Sequence, residues 1–273
     1  MNDYRPPSFS MFPPVVKNLL IINFVFFLGT IAIRQLNHID ITNYLGLHYF
    51  ESSNFKIYQP ITYLFLHDIS SFFSIQNPSG SSIMHILSNM FALWMFGSVL
   101  ENYWGGKRFI IFYLICGIGA ALTQEVSLYV YFHHLNQAIN MFGSSPTAEG
   151  FNNIISNNFQ GITGYAQPIT ADDRVAVLNE IYRYIIDQSN TIGASGAIFG
   201  ILLAYGMSFP NTEIYLYFAI PVKAKYFVIL YGLFELYSGI KSSTGDNVAH
   251  FAHLGGMLFG FILIMYWRRK RSI

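Results

Sequence analysis

Six apolar stretches, each near the length that crosses a lipid bilayer, leave this chain few folds to choose from: about 18–36, 83–101, 108–128, 193–210, 225–241 and 247–267. A hydrocarbon layer asks for roughly 17–25 predominantly apolar residues per helix. Within it, every backbone N–H and C=O must be satisfied without water, which a helix does one segment at a time. The predicted architecture is therefore an all-α polytopic membrane protein, a bundle of six transmembrane helices with long extracytoplasmic loops. Charge agrees: only 11% of the 273 residues are charged, against about 25% in a soluble domain. The net charge of +1 supplies no basic face, so nucleic acid is excluded as a partner and the lipid bilayer is the expected one. Cys116 is the single cysteine, which rules out a disulfide within the chain.

Lysine and arginine set the orientation. They gather in the tail (Arg5, Lys17), the 102–107 turn with Lys107 and Arg108, Lys223 and Lys225, and the Arg268-Arg269-Lys270-Arg271 end. The opposite loops are acid-rich, so the positive-inside rule places both termini in the cytoplasm. The expected location is the plasma (inner) membrane, spanned several times, with the first span retained because no small-residue cleavage site follows it. Three parts follow: a cytoplasmic tail at 1–17, a membrane domain at 18–267 and a basic cytoplasmic tail at 268–273. Two outer loops are long. In 37–82, Tyr44 to Phe50 and Ile57 to Leu66 are too short to span and are expected in the interface, while Ser70 to Ser82 reads as flexible. An insertion at about 129–191 is rich in Asn, Gly and Ser and ends in an amphipathic helix capped by Thr170.

Polar side chains are few inside the spans, and each is costly unless it is partnered or wet. His85 and Asn89, four apart, share one face of the second span. Ser195 opens the fourth, Glu235 lies in the fifth, and His250 and His253 in the sixth. Spans two, four and six run in the same direction, so Ser195, His85, Asn89 and His253 fall roughly 3–11 Å below one surface at 1.5 Å per residue. His253, Gly256 and Gly260 form one helical stripe that can press against the glycines at 193, 196 and 200 and bring His253 to Ser195. Taken alone, Gly193-Ala-Ser195-Gly196 fits close helix packing better than a nucleophile motif. His250 is read as a rim residue, and Glu235 as a group that snorkels or caps a neighbour.

A serine becomes a nucleophile when a neutral imidazole takes its proton. With no carboxylate expected beside His253, Ser195 and His253 form a dyad, and Phe199, one turn below Ser195, is placed to stack on the imidazole. His85, Asn89 and the Ser195 N–H are candidate oxyanion donors. A three-histidine metal site of His85, His250 and His253 is the rival chemistry, but the spacing is not that of a zinc motif, and no metal or cofactor is expected.

At these residues the chain resembles the rhomboid family of intramembrane serine proteases. His85-Ile-Leu-Ser-Asn89 is similar to its second-helix motif and Leu100 to Tyr113 to its turn into the third helix. Gly193-Ala-Ser195-Gly196 is similar to its nucleophile motif, and Ala252-His253-Leu-Gly-Gly256 with Gly260 to its histidine helix. The resemblance implies a six-helix core without a cofactor and cleavage of transmembrane protein substrates near their outer ends. It also implies access gated by the fifth helix and by the loop from Lys241 to Ala249. The Trp-Arg pair often found in the first loop is replaced by Tyr58-Gln59-Pro60. The alternative function is a catalytically inactive, rhomboid-like protein that binds transmembrane clients.

Overall fold

The computed structural model describes residues 9–73, 81–159, 170–216, 219–241 and 249–271. The loop from Lys241 to Ala249 therefore lies almost wholly outside the described residues, as do the first eight residues of the first tail and the middle of the stretch from Ser70 to Ser82. The long helices are α1 (Pro14–Asn37), α2 (Ser82–Trp104) and α3 (Gly106–Gly143). α4 (Ala148–Asn158) and α5 (Ala171–Gln188) follow, then α6 (Ser195–Ser208), α7 (Ala224–Lys241) and α8 (His250–Arg271). Among the described residues, α1, α2, α3 and α8 are long and apolar enough to cross a membrane. The other two expected spans differ for physical reasons. α6 has 14 residues, a rise of roughly 21 Å that stops short of a ~30 Å hydrocarbon layer. α7 carries Lys225, Glu235 and Lys241.

The chain is mostly helical, with two antiparallel ribbons among the described residues where the sequence reads as loop. β1 (Leu47–His48) pairs with β2 (Asn190–Thr191), and β3 (Glu213–Leu216) pairs with β4 (Ile220–Lys223). The first ribbon ties the segment after α1 to the residues that lead into Ser195.

One end of the bundle is fastened by a buried carboxylate. Pro13 and Pro14 start α1 and leave its first N–H groups without intrahelical partners. Glu101, near the end of α2, accepts from Val15 N–H (2.9 Å) and Val16 N–H (2.7 Å). At the same end Arg108 covers the Trp267 ring, Trp267 meets Trp104 edge-on, and Arg268 donates to the Met207 carbonyl. The last turns of α2, α6 and α8 therefore lie together, and so do their first turns, at the opposite end.

The core lies where α3, α6 and α8 meet, around Phe109, Phe112, Cys116, Ala197, Ile201 and Ala204. Backbones touch there: a Cβ on Gly256 would fall onto the Gly196 carbonyl oxygen, so only glycine permits this approach of α8 to α6.

Beyond the core, α3 runs on to Gly143 instead of stopping near 128. At 1.5 Å per residue its 38 residues extend roughly 57 Å, well beyond a bilayer's hydrocarbon thickness. No proline or glycine interrupts 120–142, and Phe132, Leu135, Ile139 and Phe142 keep helical spacing on one face. They bury themselves with Tyr49, Phe151, Leu178, Ile181 and Ile186 in a second, smaller core with α4 and α5. Thr170 and Asp173 close a capping box at the start of α5. Much of the 129–191 stretch is thus a packed helical unit rather than an open loop.

Candidate active site

Ser195 is the first residue of α6, and its hydroxyl points at α8. Ser195 Oγ lies 2.8 Å from His253 Nε2. Phe199, one turn along α6, lies flat on the same imidazole, with ring centroids 4.1 Å apart and planes 7° from parallel. Ser195 is partly buried; Phe199 and His253 are buried. The glycine contact between Gly196 and Gly256, each within one turn of one of these two side chains, lets the helices approach closely enough for this distance.

The other ring nitrogen of His253 has a partner that the sequence reading did not foresee. His253 Nδ1 lies 2.9 Å from Glu235 Oε2, and His250 Nδ1 lies 2.6 Å from the same oxygen. A carboxylate does stand beside His253, so the arrangement is Ser–His–Glu rather than a bare pair. Glu235 is turned inward, 3% exposed, instead of snorkelling. His250 is buried against it rather than placed at a rim. The cause is geometric: α7 crosses α8 so that Gly239 faces His250 and Phe251, which brings position 235, one turn earlier, over the first turn of α8. Periodicity within either helix cannot reveal a crossing between them.

The donor atoms of Glu235, His250 and His253 lie within 4.8 Å of one another. His85 is not part of that group, so the three histidines do not converge. The two nitrogen-to-oxygen spacings are hydrogen-bond lengths, shorter than the ~3.3 Å that separates ligands around a tetrahedral ion with ~2.0–2.1 Å bonds.

His85 and Ser195 flank Gly193. A Cβ built on Gly193 would sit 3.6 Å from His85 Nε2 and 3.7 Å from Ser195 Oγ. Gly193 has φ +129°, a backbone that disfavours side chains, and its N–H donates to the Tyr63 carbonyl at 2.9 Å. Asn89 is buried, and its side-chain amide donates to the His85 carbonyl four residues back (3.0 Å). One of its two N–H donors is thereby used and one remains.

The segment before α2 meets the site at His85. Gln59, fully buried, accepts from the His48 and Lys56 N–H groups and donates to the Tyr44 and Asn54 carbonyls. Buried His67 packs edge-on against His85 with centroids 5.5 Å apart, and its Nε2 meets Asn23 Oδ1 of α1 at 3.0 Å. His67 does not stand out in the sequence, where it is one polar residue, next to Asp68, at the end of an apolar run.

Outside the membrane-spanning helices, hydrogen bonds depress two carboxyl groups. Asp187 accepts from the Ser53 N–H first of all, and from the Ser52 and Ser53 hydroxyls, which holds it below the usual range although burial opposes this. At Asp68 burial works against ionisation, but donors from Ser70 and Ser82 outweigh it and lower the group.

A family model described as Rhomboid domain matches residues 54–151 and 158–270. RHOMBOID-like protein 12, mitochondrial, of Arabidopsis thaliana is 28% identical over 194 residues, which cover 70% of this chain and 43% of that protein. An uncharacterized rhomboid protein of Schizosaccharomyces pombe, also named mitochondrial, is 27% identical over 217 residues, which cover 74% of this chain and 51% of that one. The chain spans about half the length of the curated relatives it matches. Both names conflict with the plasma membrane expected from loop charges, and that expectation is overturned. A bias of Lys and Arg orients a chain across a bilayer but carries no address for which bilayer.

Proposed function

Since the chain belongs to the rhomboid family, we propose that it is an intramembrane serine endopeptidase. It cuts transmembrane protein substrates near the face where α2, α6 and α8 begin. The observation that carries this reading is the 2.8 Å contact of Ser195 Oγ with His253 Nε2 beneath a stacked Phe199. In this reading α6 and α7 complete six membrane helices within residues 18–267. Residues 1–17 and 268–273 flank that domain, and 129–191 forms an insertion above it that docks or covers substrate.

The chemistry follows from the nitrogen and oxygen positions. Ser195 Oγ attacks the scissile carbonyl carbon while its proton passes to His253 Nε2. The oxyanion forms between the Ser195 N–H, His85 and the free N–H of Asn89, each donor contributing about 2.7–4 kcal/mol. Collapse breaks the C–N bond as Nε2 returns the proton to the leaving nitrogen. Water, deprotonated by the same imidazole, then releases the acyl group. Gly193 and Gly196 keep side chains out of the path, and Gly256 keeps the base within reach. The residues alone complete this cycle, without a cofactor.

Purified protein in detergent, incubated with a single-span test substrate, is expected to yield two fragments, and Ser195→Ala and His253→Ala are each expected to abolish them. Cleavage by Ser195→Ala at the wild-type rate refutes the assignment. An inactive, client-binding member would hold the substrate uncut in every variant.

A further inference from the structure

α7 is an apolar helix with one ionisable side chain turned inward. Tyr226, Ile229, Leu230, Leu233, Phe234, Tyr237 and Ile240 are exposed along it, whereas Glu235 is buried with Ala224, Val228 and Gly239. A buried carboxylate is costly unless well partnered, and here both partners are imidazole nitrogens on α8. We propose that Glu235 is a positioning residue for His253, so that the base is competent only while α7 is seated against α8. The inference rests on the reading of Ser195 as nucleophile and His253 as base.

The tautomer follows from the contacts. One oxygen facing two ring nitrogens at 2.6 and 2.9 Å is an acceptor for both, so Nδ1 of each histidine carries the proton. His253 Nε2 is then left with its lone pair toward the Ser195 hydroxyl. Phe199 fixes the plane of the ring, but a ring turned over within that plane would present a different atom to the serine. The Nδ1–H bond to Glu235 is what selects the productive orientation. When the proton from Ser195 reaches Nε2, the imidazolium lies against the carboxylate, which keeps its own charge and takes no proton. His250 clamps the same oxygen from the loop side and holds Glu235 in place when His253 is engaged with the reaction. Since α7 supplies the carboxylate and packs on α6 and α8, any outward shift of that helix removes the acceptor without moving serine or histidine.

The test uses the full chain in detergent with two readouts: cleavage of the single-span substrate, and the rate at which a fluorophosphonate labels Ser195. The second reports the reactivity of the serine without requiring a transmembrane substrate to enter. Glu235→Gln retains shape and an acceptor oxygen but removes the charge. It is expected to lower kcat and labelling in parallel by on the order of 100-fold, with KM and thermal stability near wild type. Glu235→Leu is expected to fall further in both readouts, and His250→Ala to lose about 10-fold through the looser carboxylate. Wild-type labelling and cleavage in both Glu235→Gln and Glu235→Leu would overturn the proposal. So would loss of wild-type activity to a chelator with recovery on zinc, which would make the three residues a metal site. A wild type that neither cleaves nor labels would instead sink the peptidase reading, and this inference with it.

Discussion

Gly256→Ala isolates what the meeting of α6 and α8 does for the site. The added methyl points at the Gly196 carbonyl oxygen, a backbone atom that cannot rotate away. Ordinary contact requires about 3.5 Å, so the two helices must part by more than an ångström. His253 is one turn from Gly256, and Ser195 is the neighbour of Gly196, so most of that displacement appears between Oγ and Nε2. Starting from 2.8 Å, the pair passes out of hydrogen-bond reach. A 1 Å misplacement costs roughly 100-fold in rate, while overpacking costs about 1–3 kcal/mol in stability. Activity should therefore collapse in a protein that still folds. The assay is kcat for the single-span substrate beside thermal unfolding in detergent, with Gly29→Ala as comparator, since a Cβ there meets nothing within 4 Å. Wild-type kcat in Gly256→Ala would refute the claim that this glycine contact permits the serine–histidine distance.

Three further outcomes are expected. Phe199→Leu should lose the ring stacked on His253, about 0.5–1.5 kcal/mol, seen as a roughly 2- to 10-fold drop in kcat without a comparable change in KM. Gln59→Ala removes the Gln59 partner of two N–H donors and two carbonyls at once, of which the Tyr44 carbonyl keeps a second donor, the Tyr58 hydroxyl. It should destabilise the protein by about 3 kcal/mol, read from its thermal midpoint. Asp187 has a carboxyl lowered in the folded state, so its tie to Ser52 and Ser53 is fully present above the unfolded value of about 3.9 and is lost as pH falls through the lower folded value. The difference in melting temperature between wild type and Asp187→Asn should therefore be visible near neutral pH and vanish in strong acid.

Sequence alone carried the elements whose information is local. Runs of apolar residues predict helices wherever backbone must hide from lipid, and Thr170 followed by Asp172 and Asp173 marks the start of α5 from chemistry within one turn. It also suggested the approach of His253 to Ser195, because a stripe of glycines on one helix can press against the glycines around the serine on another. What lay beyond it arises between helices of unrelated spacing. The crossing of α7 over α8 decides that Glu235, which looks solitary along the chain, accepts from two histidines. The second core around Phe132 and Leu178 exists only once α4 and α5 fold back on the far half of α3. Gln59 and His67 gain their partners from segments whose backbone groups become neighbours through the fold. Periodicity reports which face of a rod is apolar, and the contacts of a buried polar group depend on the angle and height at which two rods meet, a property of the packed bundle.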